Sequence, residues 1–128
     1  MRFLSLALLI CLLSGFCVRA QPLAPPVSSA AVESSHVFCQ AECSLWSASI
    51  TTAASAGLWM VFDAAAAPAD GAVAPKYCWE VPATSSRDFA PPTGARFQVG
   101  LVFVFSTGSS CVTKAASATA FFSGVVTP

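Results

Sequence analysis

The sequence predicts an all-β protein, an antiparallel β-sandwich or jelly-roll-like single domain, on three observations. Apolar residues alternate with polar or small ones over several short runs, the period-two signature of half-buried strands. Stretches rich in Pro, Gly, Ser and Ala separate those runs, as turns and loops do between strands. No apolar pattern at helical spacing persists beyond two turns. Short strands broken this often point to two packed sheets rather than to a helical architecture.

The strand runs follow in order. From Leu45 to Thr52, Trp46, Ala48 and Ile50 fall on one face and Ser47, Ser49 and Thr51 on the other. Ala53 to Gly57 breaks this run, and Leu58 to Phe62 is apolar on both faces, as in an interior strand. Ala64 to Pro75 reads as a loop, because Pro68 would end a helix begun by Ala64–Ala67 and Asp70-Gly71 signals a turn. Tyr77, Trp79 and Val81 then oppose Cys78 and Glu80 on a further strand, and Pro91-Pro92-Thr93-Gly94 forms a turn. One long strand is expected over Phe97–Phe105, with Phe97, Val99, Leu101, Phe103 and Phe105 sharing the buried face. A loop over Ser106–Ser110 and a last strand over Ala115–Val126 complete the pattern.

The N-terminus is built for export. Arg2 precedes the apolar run Phe3–Leu13, and Val18-Arg19-Ala20 puts small residues at −3 and −1 before Gln21. These features predict a signal peptide over residues 1–20, a flexible spacer over 21–35 and the β-sandwich domain over 36–128. The uncharged stretch between Arg2 and Arg19, about 16 residues, falls short of the ~20 that a membrane-spanning helix needs. Lipid attachment is disfavoured, because Cys11 follows Ile10 and Cys17 follows Phe16 rather than a small residue. The expected location is secreted or periplasmic, with no membrane contact after cleavage.

Composition narrows the partners. Hydrophobic residues make up 55% of the chain and charged ones 9%, with ten Phe and three Trp to fill a core. The formal net charge is zero and Lys and Arg are nowhere clustered, so nucleic acid is not an expected partner. The absence of Asn removes any N-glycosylation acceptor.

Of six cysteines, Cys39, Cys43, Cys78 and Cys111 lie beyond the cleavage site. An even number in an exported chain reads as two disulfides. A metal site formed by His36, Cys39 and Cys43 with Cys78 or Cys111 is the competing reading, but it lacks the second closely spaced ligand pair of zinc sites. Residues four apart on one strand lie about 13 Å from each other, beyond the ~7 Å reach of a disulfide. Cys39 and Cys43 can therefore pair only across a turn. The pairing Cys78–Cys111 would close the larger loop and stabilise more.

Little in the sequence prescribes chemistry. His36 is the only histidine and stands at the edge of the expected spacer, where a solvated surface role is expected. The acidic residues are scattered, and only Glu80 sits in an apolar strand, where it is expected to face outward or to pair with Lys76 or Arg96. There is no phosphate-binding glycine loop, nucleophile elbow or calcium loop. Trp46, Trp59, Trp79 and Tyr77 could form a sugar-stacking platform or belong to the core.

Two stretches, GLWMVFDAAAAPADGAVAPKYCWEVPA and FQVGLVFVFSTGSSCVTKAASATAFFSGVV, resemble a family of small, largely uncharacterised β-rich proteins from bacterial genomes and their phages. The resemblance rests on Phe62–Ala64, Pro68–Gly71, Val81–Ala83, Val104–Thr107 and Lys114–Ser123. It implies a virion-associated or assembly role and carries no catalytic residues to transfer; the signal peptide departs from it. Together these features predict an exported, non-catalytic structural or interaction module without a cofactor. Its expected partner is a second copy or another protein, and glycan binding through exposed aromatics is the alternative.

Overall fold

A computed structural model describes residues 24–128, so the expected signal peptide lies outside the described residues. Among the described residues there is no helix, and eleven strands form three antiparallel sheets. A five-stranded sheet contains β1 (Val27–Ser28), β11 (Ala120–Thr127), β3 (Cys43–Thr52) and β7 (Ser86–Phe89) in that order, with β8 (Ala95–Phe97) also pairing to β3. A four-stranded sheet runs β2 (Ser35–Cys39), β9 (Leu101–Ser106), β4 (Gly57–Asp63), β6 (Tyr77–Val81). The third is a short ladder of β5 (Gly71–Ala72) with β10 (Thr113–Lys114).

The two large sheets enclose the main core. Leu45, Ala48, Ile50, Phe97 and Phe122 from one sheet meet Trp59, Val61, Leu101, Phe103 and Phe105 from the other. A second apolar cluster lies on the far side of the four-stranded sheet. There Leu58, Met60, Phe62, Val102 and Val104 pack under Ala64, Ala67, Val73, Cys78 and Cys111. Strands β4 and β9 are apolar on both faces because each face is covered, one by the opposite sheet and one by this loop layer.

The long strand expected over Phe97–Phe105 is instead two strands in different sheets. Strand β8 ends at Phe97 beside β3, and β9 begins at Leu101 beside β4 and β2. Gln98-Val99-Gly100 carries the chain across, leaving Val99 55% exposed while Phe97, Leu101, Phe103 and Phe105 stay buried. The crossing is tight at Gly100, where a Cβ would lie 2.6 Å from the Ala64 carbonyl oxygen and 2.7 Å from that of Cys39.

A bulge corrects the face assigned to Trp46. Along β3 and β11, Ser47 pairs with Val125 but Leu45 pairs with Val126, so Trp46 is the extra residue. The bulge reverses the alternation: Cys43 and Leu45 point inward, then Ala48 and Ile50, while Trp46 turns out. The last strand also starts later than expected, at Ala120, because Ala115–Thr119 turns back through bridges and loop hydrogen bonds.

The expected spacer ends earlier than Ser35. Val27 and Ser28 pair with Gly124 and Ser123, Glu33 bridges to Ala120, and Ser35 opens β2 opposite Val104. Backbone pairing along sheet edges holds this segment, and its exposed side chains show no apolar period for that reason.

Candidate functional site

The four cysteines form the two pairs Cys39–Cys43 and Cys78–Cys111, with Cα separations of 6.7 and 5.9 Å. The first closes the turn between β2 and β3, where the chain passes from one large sheet to the other. The second ties the edge strand β6 to the loop layer over the second apolar cluster. Paired in this way, Cys39 and Cys43 have no thiolates to offer a metal. Among the described residues no three His, Cys, Asp or Glu side chains are grouped to hold an ion.

His36 stands on β2 rather than at a spacer's edge. Its Nδ1 lies 2.6 Å from Glu33 Oε1, and its ring meets Phe38 edge-on at 4.6 Å. Glu80 is exposed on β6, and neither cation expected beside it is there. Lys76 lies 3.8 Å from the Asp63 carboxylate and over the Phe97 ring, while Arg96 pairs with Glu42.

The segments that carry the sequence resemblance make bonds that hold the fold. Asp63 accepts hydrogen bonds from the backbone N–H groups of Gln98, Val99 and Gly100, so it fixes the crossing between the sheets. Lys114, almost wholly buried, donates to the Pro68 carbonyl and to Asp70 Oδ1, both at 2.7 Å. The buried Ser106 hydroxyl accepts from the N–H groups of Gly108 and Ala115. The Pro82 carbonyl accepts from the Thr52 and Ser85 hydroxyls. The Lys114 ammonium, donating directly, holds the Asp70 carboxyl below its usual range against a partial loss of solvent.

Desolvation works against the Asp63 anion, but the N–H groups of Val99, Gln98 and Gly100 and the Lys76 ammonium outweigh it. They hold its carboxyl below the usual value. Because the folded-state pKa lies below the unfolded one, this stabilisation is in place above about pH 4 and is lost as pH falls through the folded value. Asp63→Ala is expected to cost about 1–3 kcal/mol at neutral pH, through loss of the hydrogen bonds that its charged carboxylate accepts from the crossing. Thermal melts from pH 6 to pH 2 should also show a shallower acid slope than the wild type. An unchanged slope would remove Asp63 from the acid response.

The aromatic residues separate into three environments. Trp59 is fully buried between Trp79 and Phe103. Tyr77 and Trp79, stacked at 5.6 Å, and Phe89 close the sandwich where β6 and β7 form its edge, with Arg87 over the Trp79 ring. Trp46 alone of the three tryptophans stands on an open face, 40% exposed.

Trp46 is held flat. Its indole N–H donates to Thr127 Oγ1 at 3.1 Å. A Cβ built on Gly94 would lie 3.5 Å from Cδ2, Cε2 and Cε3 of the indole alike. A point equally far from three atoms of the six-membered ring lies over that ring's centre, so one face of the indole is turned toward Gly94. Gly94 closes the expected turn by donating its N–H to the Pro91 carbonyl, with φ at +74°. The positive φ selects glycine here, while a Cβ would meet the ring only at ordinary contact distance.

The rest of this outer face is lined by small hydroxyl side chains. Cross-strand register aligns Ser28, Ser123, Ser49 and Asp88 in one row, and Phe121, Thr51 and Ser86 in the next. Ser49 and Ser123 share a hydrogen bond of 2.6 Å, and Thr51 and Ser86 one of 2.8 Å. The small side chains leave a shallow depression of about 210 Å³, bordered by Pro26, Ser47, Asp88 and Val125. The exposed Phe121 stands at the opposite end of the face from Trp46, five residues of β3 away and so roughly 16 Å along the strand.

The fold and this face define a disulfide-crosslinked β-sandwich with a flat hydroxyl-lined surface. No family model matches the chain, and no curated protein matches it either.

Proposed function

We propose that the chain is an exported, non-catalytic interaction module that acts through its surface. The observation that carries this reading concerns its depressions. Those at the end of the four-stranded sheet, on the outer face and beside Cys39–Cys43 are lined by a single ionisable residue each: Glu80, Asp88 and Glu42. Paired acid–base chemistry needs two such groups within reach of one reacting atom. Asp63, Asp70 and Lys114, the groups with the fullest hydrogen bonding, are engaged in holding backbone.

Export is supported by the two disulfides, which are typical of oxidising compartments. Intact-mass analysis of protein from the periplasm or culture medium is expected to give a chain starting at Gln21, or its cyclised form, four hydrogens lighter than the fully reduced mass. A chain starting at Met1 in the membrane fraction, or free thiols in the exported protein, would overturn the reading.

A further inference from the structure

Resting on that reading, we infer that the outer face of the five-stranded sheet binds a neutral carbohydrate polymer. The open side of the Trp46 indole is its stacking platform, and Ser47, Ser49, Ser123 and Asp88 meet the sugar hydroxyls. A pyranose ring presents an apolar C–H face and an equatorial rim of hydroxyls, so it needs a flat aromatic surface beside short polar groups. Trp46 meets the first need without rearrangement, because its hydrogen bond to Thr127 already holds the indole with one face toward Gly94. Ordering a side chain on binding carries an entropic cost that a prefixed indole avoids. The depression beside it offers hydroxyls and one carboxylate, and Phe121 extends the aromatic contact to the far end.

The character of the face selects this partner over others. Among the described residues at its rim, Arg96 is paired with Glu42, Asp88 stands in no ion pair, and its neighbour Arg87 is turned to the Glu80 carbonyl and the Trp79 ring. An anionic polymer would meet no cationic patch here. A second copy of the chain fits poorly too. At ~3.3 Å per residue and ~4.8 Å between strands, two such faces would bury on the order of 1,000 Å², the lower limit of a stable interface. Serine is also depleted from the centres of protein interfaces.

The test is affinity electrophoresis of the exported protein in native gels containing hydroxyethylcellulose, laminarin or xyloglucan, with polygalacturonate as the anionic control. The wild type is expected to be retarded by at least one neutral polymer and not by polygalacturonate. Trp46→Ala is expected to weaken that binding at least tenfold and Trp46→Phe to keep most of it. Ser49→Leu, which fills the depression and removes the hydrogen bond to Ser123, should weaken binding while leaving the protein folded at the assay temperature. Migration unaffected by all three neutral polymers would overturn the inference, as would equal retardation of Trp46→Ala and wild type. Preferential retardation by polygalacturonate, or a dimer in sedimentation that Trp46→Ala dissociates, would overturn it in favour of an anionic polymer or a second copy. Release of reducing ends from a bound polymer would instead refute the non-catalytic reading while leaving the binding face in place.

Discussion

Phe103→Ala is expected to lower stability by about 3–5 kcal/mol, the usual cost of truncating a buried aromatic residue. Phe103 lies on β9, flanked by β2 and β4, with its side chain wholly buried. Its ring meets Phe38 at 4.5 Å, Trp59 at 5.2 Å and Phe122 at 6.1 Å, so it joins both large sheets. Rigid aromatic neighbours on several sides leave little room to close the resulting cavity, which places the cost high in that range. Urea unfolding should show the loss as a lower midpoint at an unchanged slope. The melting temperature should fall by roughly 15 °C or more, at ~4–8 °C per kcal/mol for a domain of this size. Val99→Ala is the discriminating companion. A continuous strand over Phe97–Phe105 would bury Val99 on the same face, whereas the crossing leaves it exposed. Val99→Ala should therefore be nearly silent, and a loss above ~1 kcal/mol would restore the continuous strand.

The contrast between these two positions shows what local sequence could reveal. Interior strand β4 was legible because five apolar residues in a row, too short for a helix and bounded by Gly57 and Asp63, suit a strand covered on both faces. The edge strand β6 was legible from strict alternation, and the Pro91–Gly94 turn from its turn residues. The crossing at Gln98–Gly100 was hidden because Val99 is β-branched and apolar and keeps the alternation going; Gly100 was the only break. What fixes the crossing is the Asp63 carboxylate, 35 residues earlier, and no local pattern announces that contact. Strand β7, Ser-Arg-Asp-Phe, is an edge strand whose side chains are mostly exposed, so it offered no apolar period. The candidate site was half legible. Trp46 stood out by type, but its face depended on a bulge defined only by pairing with β11. The hydroxyl rows likewise exist only once the cross-strand register is set.

The second large effect is expected from the disulfides, and it should be unequal. Replacing Cys78 and Cys111 together by Ala opens a loop with a sequence separation of 33, worth about 3.7 kcal/mol in the chain-entropy model. Replacing Cys39 and Cys43 together opens a loop with a separation of 4, worth about 2 kcal/mol on the same basis. Structure sharpens the difference. Cys78 and Cys111 pack on the cluster of Leu58, Met60, Phe62, Val102 and Val104, beneath the layer that carries β5 and β10. Apart from that cluster, the layer is held chiefly by the short β5–β10 ladder and the Lys114 contacts to Pro68 and Asp70. Loss of the bridge should loosen this layer before the main core, because the two large sheets keep their own buried contacts. Hydrogen exchange in the Cys78/Cys111 double variant should accelerate first over residues 64–75 and 107–116, while β3, β4 and β9 remain protected. In the Cys39/Cys43 double variant the acceleration should stay near the β2–β3 turn. Equal or reversed losses of melting temperature between the two double variants would contradict the loop-length argument. Uniform acceleration across all strands would show that the loop layer and the main core unfold as one unit.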